Sequence, residues 1–320
     1  MERPILEVKN ISIDYPISIG TVAAVRDVSF SLEKGEALGI VGESGCGKST
    51  LGLSFLRLLR PPGRIVNGDV LYHGKNIIDM NQKELLKLRG QNIAMVFQNP
   101  LTSLDPLYSI EDQFYETMKE HEPRITRKEA AKRAGDVLES LSIDKDRLYE
   151  FPHQLSGGMR QRIMIGLGLI LNPDLLIADE PTTSLDVIVE AGFIDLLARL
   201  RKDFNLSIIL ISHNLGLVAE MVDRIMVMYG GKIMELGTAQ EIFSTPLHPY
   251  TVGLIGCVPN IKLDQENLVS MPGTPPDLVN PPKGCRFSPR CPKAMDICHE
   301  QEPELIKHKN GQQVACWLYK

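Results

Sequence analysis

An apolar run, Ala37 to Val41, leads directly into Gly42-Glu43-Ser44-Gly45-Cys46-Gly47-Lys48-Ser49, and a helical pattern over Thr50 to Leu59 follows until Pro61-Pro62-Gly63 stops it. Two glycines five apart, then Lys and Ser, form the phosphate-loop pattern. The glycines let backbone N–H groups converge on phosphate oxygens, Lys48 reaches the outer phosphates and Ser49 can ligate Mg²⁺. The same residues could make only a glycine-rich turn ahead of a helix. The order strand, loop, helix favours a nucleotide, held by Gly42, Ser44, Gly45, Cys46, Gly47, Lys48, Ser49 and Thr50.

That order also sets the fold class. Residues 5–14 and 25–33 alternate apolar and polar as half-buried strands do, and 92–97 form a short apolar strand ending at Gln98-Asn99-Pro100. Residues 126–141 read as a charged amphipathic helix. Apolar strands at 175–178 and 207–212 flank a helix near 189–203, a β-α-β unit that implies a parallel sheet. The first of these strands ends in Asp179-Glu180. Alone it reads as a core strand meeting an acidic loop; behind a phosphate loop, Asp179 can hold the water shell of Mg²⁺ and Glu180 can polarise the attacking water. His213 follows the second strand; alone it reads as structural, and behind a phosphate loop it can meet a γ-phosphate. Beyond about residue 245 prolines crowd a stretch of little periodicity, which predicts a linker and then a small Cys-bearing module.

With 320 residues the chain has room for an α/β domain and a smaller appendage. A net charge of −5 argues against a surface that neutralises nucleic-acid phosphates. The N-terminus lacks the apolar stretch of a secretion signal, which predicts a protein kept inside the cell. Ile165 to Ala178 is broken by Asn172, Pro173 and Asp174, short of the roughly 20 apolar residues a membrane helix needs. If a membrane is involved, other chains cross it.

Leu155-Ser156-Gly157-Gly158-Met159-Arg160-Gln161 opens the backbone at two glycines, supplies a hydroxyl at Ser156 and precedes a helix. It reads either as a second anion nest or as a capped helix behind a glycine turn. Taken in order, the phosphate loop, Gln98, this Leu-Ser-Gly-Gly segment, Asp179-Glu180, Ser184-Leu185-Asp186 and His213 resemble the ABC transporter ATPases, and the likeness runs from about residue 5 to the C-terminus. The resemblance implies an ABC-type nucleotide-binding domain over 1–245. Its parts are a phosphate-loop core with a parallel sheet, an antiparallel β subdomain and a helical signature subdomain at about 100–170. A C-terminal Cys-rich module would occupy 246–320. It implies catalysis by Glu180 with His213 and Gln98, Mg²⁺ on Ser49, Gln98 and Asp179, and Tyr15 stacked on the adenine. It also implies a head-to-tail pair, in which Ser156, Gly158 and Asp186 reach the ATP held by the partner ATPase, itself a sister chain or a second copy. Gln98 and Asn99 to Ile110 would link that chemistry to a permease of two integral-membrane subunits.

Phe97 to Pro106, His248-Pro249-Tyr250-Thr251 and Gly284-Cys285-Arg286-Phe287 with Pro289-Arg290-Cys291-Pro292 closely resemble the dipeptide and oligopeptide import subfamily. That implies a peripheral protein at the cytoplasmic face of the membrane, served by an external peptide-binding protein. Nickel and some sugar importers share much of the pattern; soluble ABC ATPases and an ATP-switched redox sensor are rival classes. Cys285, Cys291, Cys298 and Cys316 leave gaps of five, six and seventeen residues. Structural zinc sites pair cysteines more closely. A [4Fe–4S] cluster tolerates longer loops, zinc on the same four thiols is the alternative, and a metal-free buried set stays open. The resemblance favours the cluster.

Overall fold

The computed structural model describes residues 3–98, 103–182, 187–257, 271–309 and 311–320, with backbone alone at 187 and 188. Contacts divide the chain into two compact units, residues 1–79 with 210–320, and residues 80–209.

In chain order the first unit begins with β1 (Leu6–Ile17), β2 (Gly20–Leu32), β3 (Ala37–Val41), α1 (Lys48–Ser54), β4 (Arg64–Tyr72) and β5 (Lys75–Asn76). The second holds α2 (Gln82–Gln91), β6 (Ile93–Val96), α3 (Ile110–His121), α4 (Arg127–Ser140), α5 (Gly157–Leu169), β7 (Leu175–Asp179) and α6 (Val187–Asp203). The strand β8 (Ser207–Ser212) carries the chain back to the first unit, which continues with α7 (Leu215–Met221), β9 (Arg224–Tyr229), β10 (Lys232–Thr238), α8 (Ala239–Ser244), α9 (Pro249–Gly256), α10 (Asp296–Glu300), β11 (Ile306–Lys307) and β12 (Gln313–Val314).

In the first unit β1 pairs antiparallel with β2, from Leu6 opposite Leu32 to Ile17 opposite Gly20, and with β4 on its other side. Ile11, Ile13, Val25 and Val28 bury the inward face of this hairpin. β3 is buried along its whole length, as a strand covered on both faces must be, and runs parallel to β9. β10 pairs antiparallel with β9, and β12 then joins β10 with Glu235 opposite Val314. The segment that carries the four cysteines therefore ends as an added strand on the sheet that supports the phosphate loop. A buried carboxylate reinforces the join: Glu235 accepts N–H groups from Leu247 (2.8 Å), His248 (2.9 Å) and the Gln312 side chain (2.6 Å). Burial raises its pKa above the usual carboxylate range.

In the second unit β6 and β7 run parallel, Ile93 opposite Leu175 and Val96 opposite Ala178. The helices pack on one another through Phe114 and Met118 of α3, Ala134 and Leu138 of α4, and Ile163 of α5, all fully buried. α4 starts where Thr126 and Glu129 close a reciprocal capping box.

Three expectations are corrected. The helix after the phosphate loop starts at Lys48, two residues before Thr50, and ends at Ser54 rather than Leu59. The chain then turns through Arg57, which has a φ of 49°. The first hairpin is longer than strands 5–14 and 25–33 allow, because its pairing continues past Tyr15, with Pro16 opposite Thr21 and Ile17 opposite Gly20, into a tight turn at Ser18-Ile19. The stretch after 245 begins with a helix, α9, whose first turn admits Pro249 where no intrahelical N–H is needed.

Candidate nucleotide site and four-cysteine cavity

The phosphate loop joins the buried β3 to α1, and its glycines are fixed by neighbours. A Cβ on Gly42, at φ 153°, would stand 2.1 Å from the Met228 carbonyl oxygen, and one on Gly47, at φ 100°, would stand 2.3 Å from that of Ala24. No side chain fits at either position. The backbone between them wraps the Lys48 ammonium, which is buried and donates to the carbonyls of Gly42 (2.8 Å) and Glu43 (3.0 Å). Ser44 and Gly45 are exposed, and Ser49 and Thr50 stand half-buried in the first turn of α1. Cys46 is buried, burial raises its thiol pKa, and its carbonyl accepts the Gly231 N–H. Its thiol is thus a packing group in the loop. Tyr15 lies half-buried on β1 opposite Val22, and His213 is exposed just after β8.

In the other unit, β7 is buried along its length and delivers Asp179 and Glu180 together. Asp179 is 7% exposed. Glu180 has a φ of 44°, a left-handed conformation that side chains rarely adopt and that tends to mark functional sites. Its carboxylate accepts from the Gln98 amide at 3.1 Å, which brings together two residues 82 positions apart that the sequence assigned to catalysis. Ser156 caps α5 and accepts from the Met159 N–H at 3.3 Å. Ser156 and Gly157 are exposed; among the described residues a Cβ on Gly157 would meet nothing, and one on Gly158 would make only an ordinary contact with Val189. Asn99 to Thr102 and the turn Ser184-Leu185-Asp186 fall outside the described residues.

The four tail cysteines line one cavity, walled by Pro249, Phe287, Pro303 and Leu318. The backbone draws the first and third together: the Cys285 N–H donates to the Cys298 carbonyl at 2.8 Å. Burial pushes Cys285 up to about 11, and the other three thiols oppose its ionisation further. Burial likewise raises Cys291 and Cys316. Four thiols on one cavity are the donor type that zinc and iron–sulfur groups use. Among the described residues, however, no three His, Cys, Asp or Glu side chains form a group able to hold a metal ion. His248 faces the same cavity with a pKa lowered to about 3 by burial. Its Nδ1 accepts the Tyr250 N–H at 3.0 Å, which leaves Nε2 to carry the proton.

Sequence reasoning missed two residues at the phosphate loop. Tyr250 and Arg290 hold Glu43, and neither lies near it in the chain.

Among the described residues no helix is long and apolar enough to cross a membrane. Residues 25–183 match the ABC transporter family and residues 234–298 the oligopeptide/dipeptide transporter C-terminal region. The chain is 46% identical to the oligopeptide transport ATP-binding protein OppD of Bacillus subtilis, covering 98% of this chain and 88% of that one. It is 44% identical to the dipeptide transport ATP-binding protein DppD of the same organism, covering 99% and 95%. Among solved structures, the dimeric post-hydrolysis state of the ATP-binding cassette MJ0796, bound to ADP and Pi, matches with a TM-score of 0.66 and 26% identity, over 73% of this chain and 98% of that one. With its phosphate loop, its signature helix and relatives matched over nearly the whole length, the chain belongs to the ABC transporter family as one of its ATP-hydrolysing subunits.

Proposed function

We propose that this ATPase powers uptake of dipeptides or oligopeptides through a membrane permease. The observation that carries this reading is the C-terminal match over residues 234–298, which includes His248 to Thr251 and three of the four tail cysteines. In this reading the chain sits peripherally at the cytoplasmic face of the membrane. It pairs with a second ABC ATPase, contacts two integral-membrane subunits, and receives solute selected by an external peptide-binding protein.

The residues keep the roles that the resemblance gives them. Lys48 and the loop from Gly42 to Thr50 hold the phosphates, and Tyr15 stacks on the adenine. By the resemblance, Ser49, Gln98 and Asp179 would hold Mg²⁺, which would supply positive charge against the outer phosphates. Glu180 takes a proton from water as the water oxygen bonds to the γ-phosphorus and the bond to the β–γ bridging oxygen breaks, which releases ADP and phosphate. Gln98 orients the Glu180 carboxylate through its amide, and His213 meets the γ-phosphate. Ser156, Gly158 and Asp186 act on the ATP of the partner ATPase.

Cells that lack this chain but keep its permease should lose uptake of a labelled tripeptide. The wild-type chain should restore it and Glu180→Gln should not. Peptide uptake that survives the deletion while nickel uptake disappears would move the protein to the nickel branch.

In the tail we propose a [4Fe–4S] cluster on Cys285, Cys291, Cys298 and Cys316, supported by their shared cavity and its apolar walls. The segment has few large apolar side chains of its own, so a bound group would act as its staple. Changing any one of the four to Ser should abolish iron and sulfide binding and expose the tail to protease. Anaerobically prepared protein with stoichiometric zinc and no sulfide would keep the ligands and overturn the cluster. Metal-free protein with a protease-resistant tail would overturn both.

A further inference from the structure

Glu43 is the second residue of the phosphate loop, and three other parts of the same unit converge on it. Its backbone N–H donates to the Tyr250 hydroxyl at 2.9 Å, from the first turn of α9. Its carbonyl accepts from Lys48 at 3.0 Å. Its carboxylate takes both arms of the Arg290 guanidinium, at 2.8 and 3.0 Å. The fork geometry is specific to arginine.

Arg290 is itself held on every side. It directly precedes Cys291, so the four-cysteine segment carries it. Its Nε donates to the Pro272 carbonyl at 2.8 Å, a terminal nitrogen donates to the Tyr229 hydroxyl at 3.1 Å, and its guanidinium lies 5.6 Å from the Tyr229 ring centre and 5.9 Å from that of Phe287. Its side chain is only 6% exposed and that of Glu43 23%, so water and salt screen the pair poorly.

We infer that Arg290 is a positioning residue for ATP: it neutralises Glu43 and fixes the phosphate loop, so the tail that bears the cysteines sets the affinity of the nucleotide site. The inference rests on the reading that this loop holds ATP. Without Arg290 a carboxylate would stand unpaired beside the place where triphosphate charge must be accommodated. It would also compete with the phosphates for Lys48, whose ammonium already contacts the Glu43 backbone. Tyr250 adds the second brace, through the main chain. Two segments marked by the peptide-importer resemblance, His248 to Thr251 and Pro289 to Pro292, thus meet at one loop residue.

The test measures binding of Mg²⁺ with a non-hydrolysable ATP analogue to the protein as purified. Arg290→Ala should weaken binding by about 5- to 50-fold, within the ordinary range of coupling between sites. Arg290→Lys, which keeps the charge but loses the fork, should fall between Ala and wild type. In a Glu43→Gln background, Arg290→Ala should change affinity by less than about twofold, because the charge on which it acts is gone. A purely structural role would lose as much in that background as in wild type. Wild-type affinity in Arg290→Ala, or an equal loss in both backgrounds, overturns the inference. If Arg290→Ala loses tail metal or protease resistance, Arg290→Gln is compared under the same two limits. A wild-type protein that fails to bind the analogue sinks the nucleotide reading itself.

Discussion

Glu180→Gln should leave Mg-ATP affinity unchanged and lower turnover by about 10²- to 10⁴-fold, the usual contribution of a positioned general base. The amide matches the carboxylate in size and still offers an oxygen to Gln98, so the contact at 3.1 Å can survive. The left-handed backbone at φ 44° is no harder for Gln than for Glu. Only the proton acceptor is removed. ATP-bound dimers should therefore accumulate, visible by gel filtration with Mg-ATP, while single-turnover hydrolysis nearly stops. Wild-type turnover in the pure variant would take Glu180 out of the proposed role.

The second large effect concerns the signature helix. Among the described residues nothing crowds Gly157, Gly158 has only an ordinary contact with Val189, and Ser156 is exposed at the helix start. Among the described residues the two glycines therefore answer no steric demand of their own unit, which accords with a surface approached by a ligand on another subunit. Ser156→Arg should place a bulky cation there and block that approach. Lys48→Ala should lose the main countercharge to the outer phosphates and with it nucleotide binding. Each variant alone should be close to inactive. Mixed under conditions where subunits exchange, they should regain activity at one intact composite site per dimer, provided the natural pair is two copies of this chain. If mixing restores nothing, adding the purified sister ATPase separates the remaining cases: restored turnover identifies a heterodimer, and continued silence returns each site to a single chain.

The parts of this architecture that the sequence made legible are those with a strong local cause. The strand at 207–212 is legible to the residue because all six side chains are buried, and the helix at 126–141 to within a residue of each end because its amphipathic pattern spans it. The phosphate loop was legible because its chemistry demands glycine where Met228 and Ala24 press on the backbone. Other features have no local signal. β11 and β12 are two residues each, too short for any alternation, and exist because β10 has an edge to extend. α9 is apolar on all sides and follows a proline, so its residues read as a linker. The contacts of Glu43 with Tyr250 and Arg290 span 207 and 247 residues and follow only from the fold. A glutamate and an arginine that far apart carry no pattern that would pair them.

That 247-residue separation bears on how the protein is made. The phosphate loop leaves the ribosome well before Arg290, which lies 247 positions after Glu43. At about 5–20 residues per second, roughly 12 to 50 s pass between synthesis of Glu43 and of the arginine that clamps it. Until then the nascent loop carries an uncompensated negative charge, and a chain broken off before residue 290 keeps it. If Arg290 has the role inferred above, the loop is made well before the residue that clamps it, and nucleotide affinity would report on whether the chain has been synthesised through residue 290 and folded.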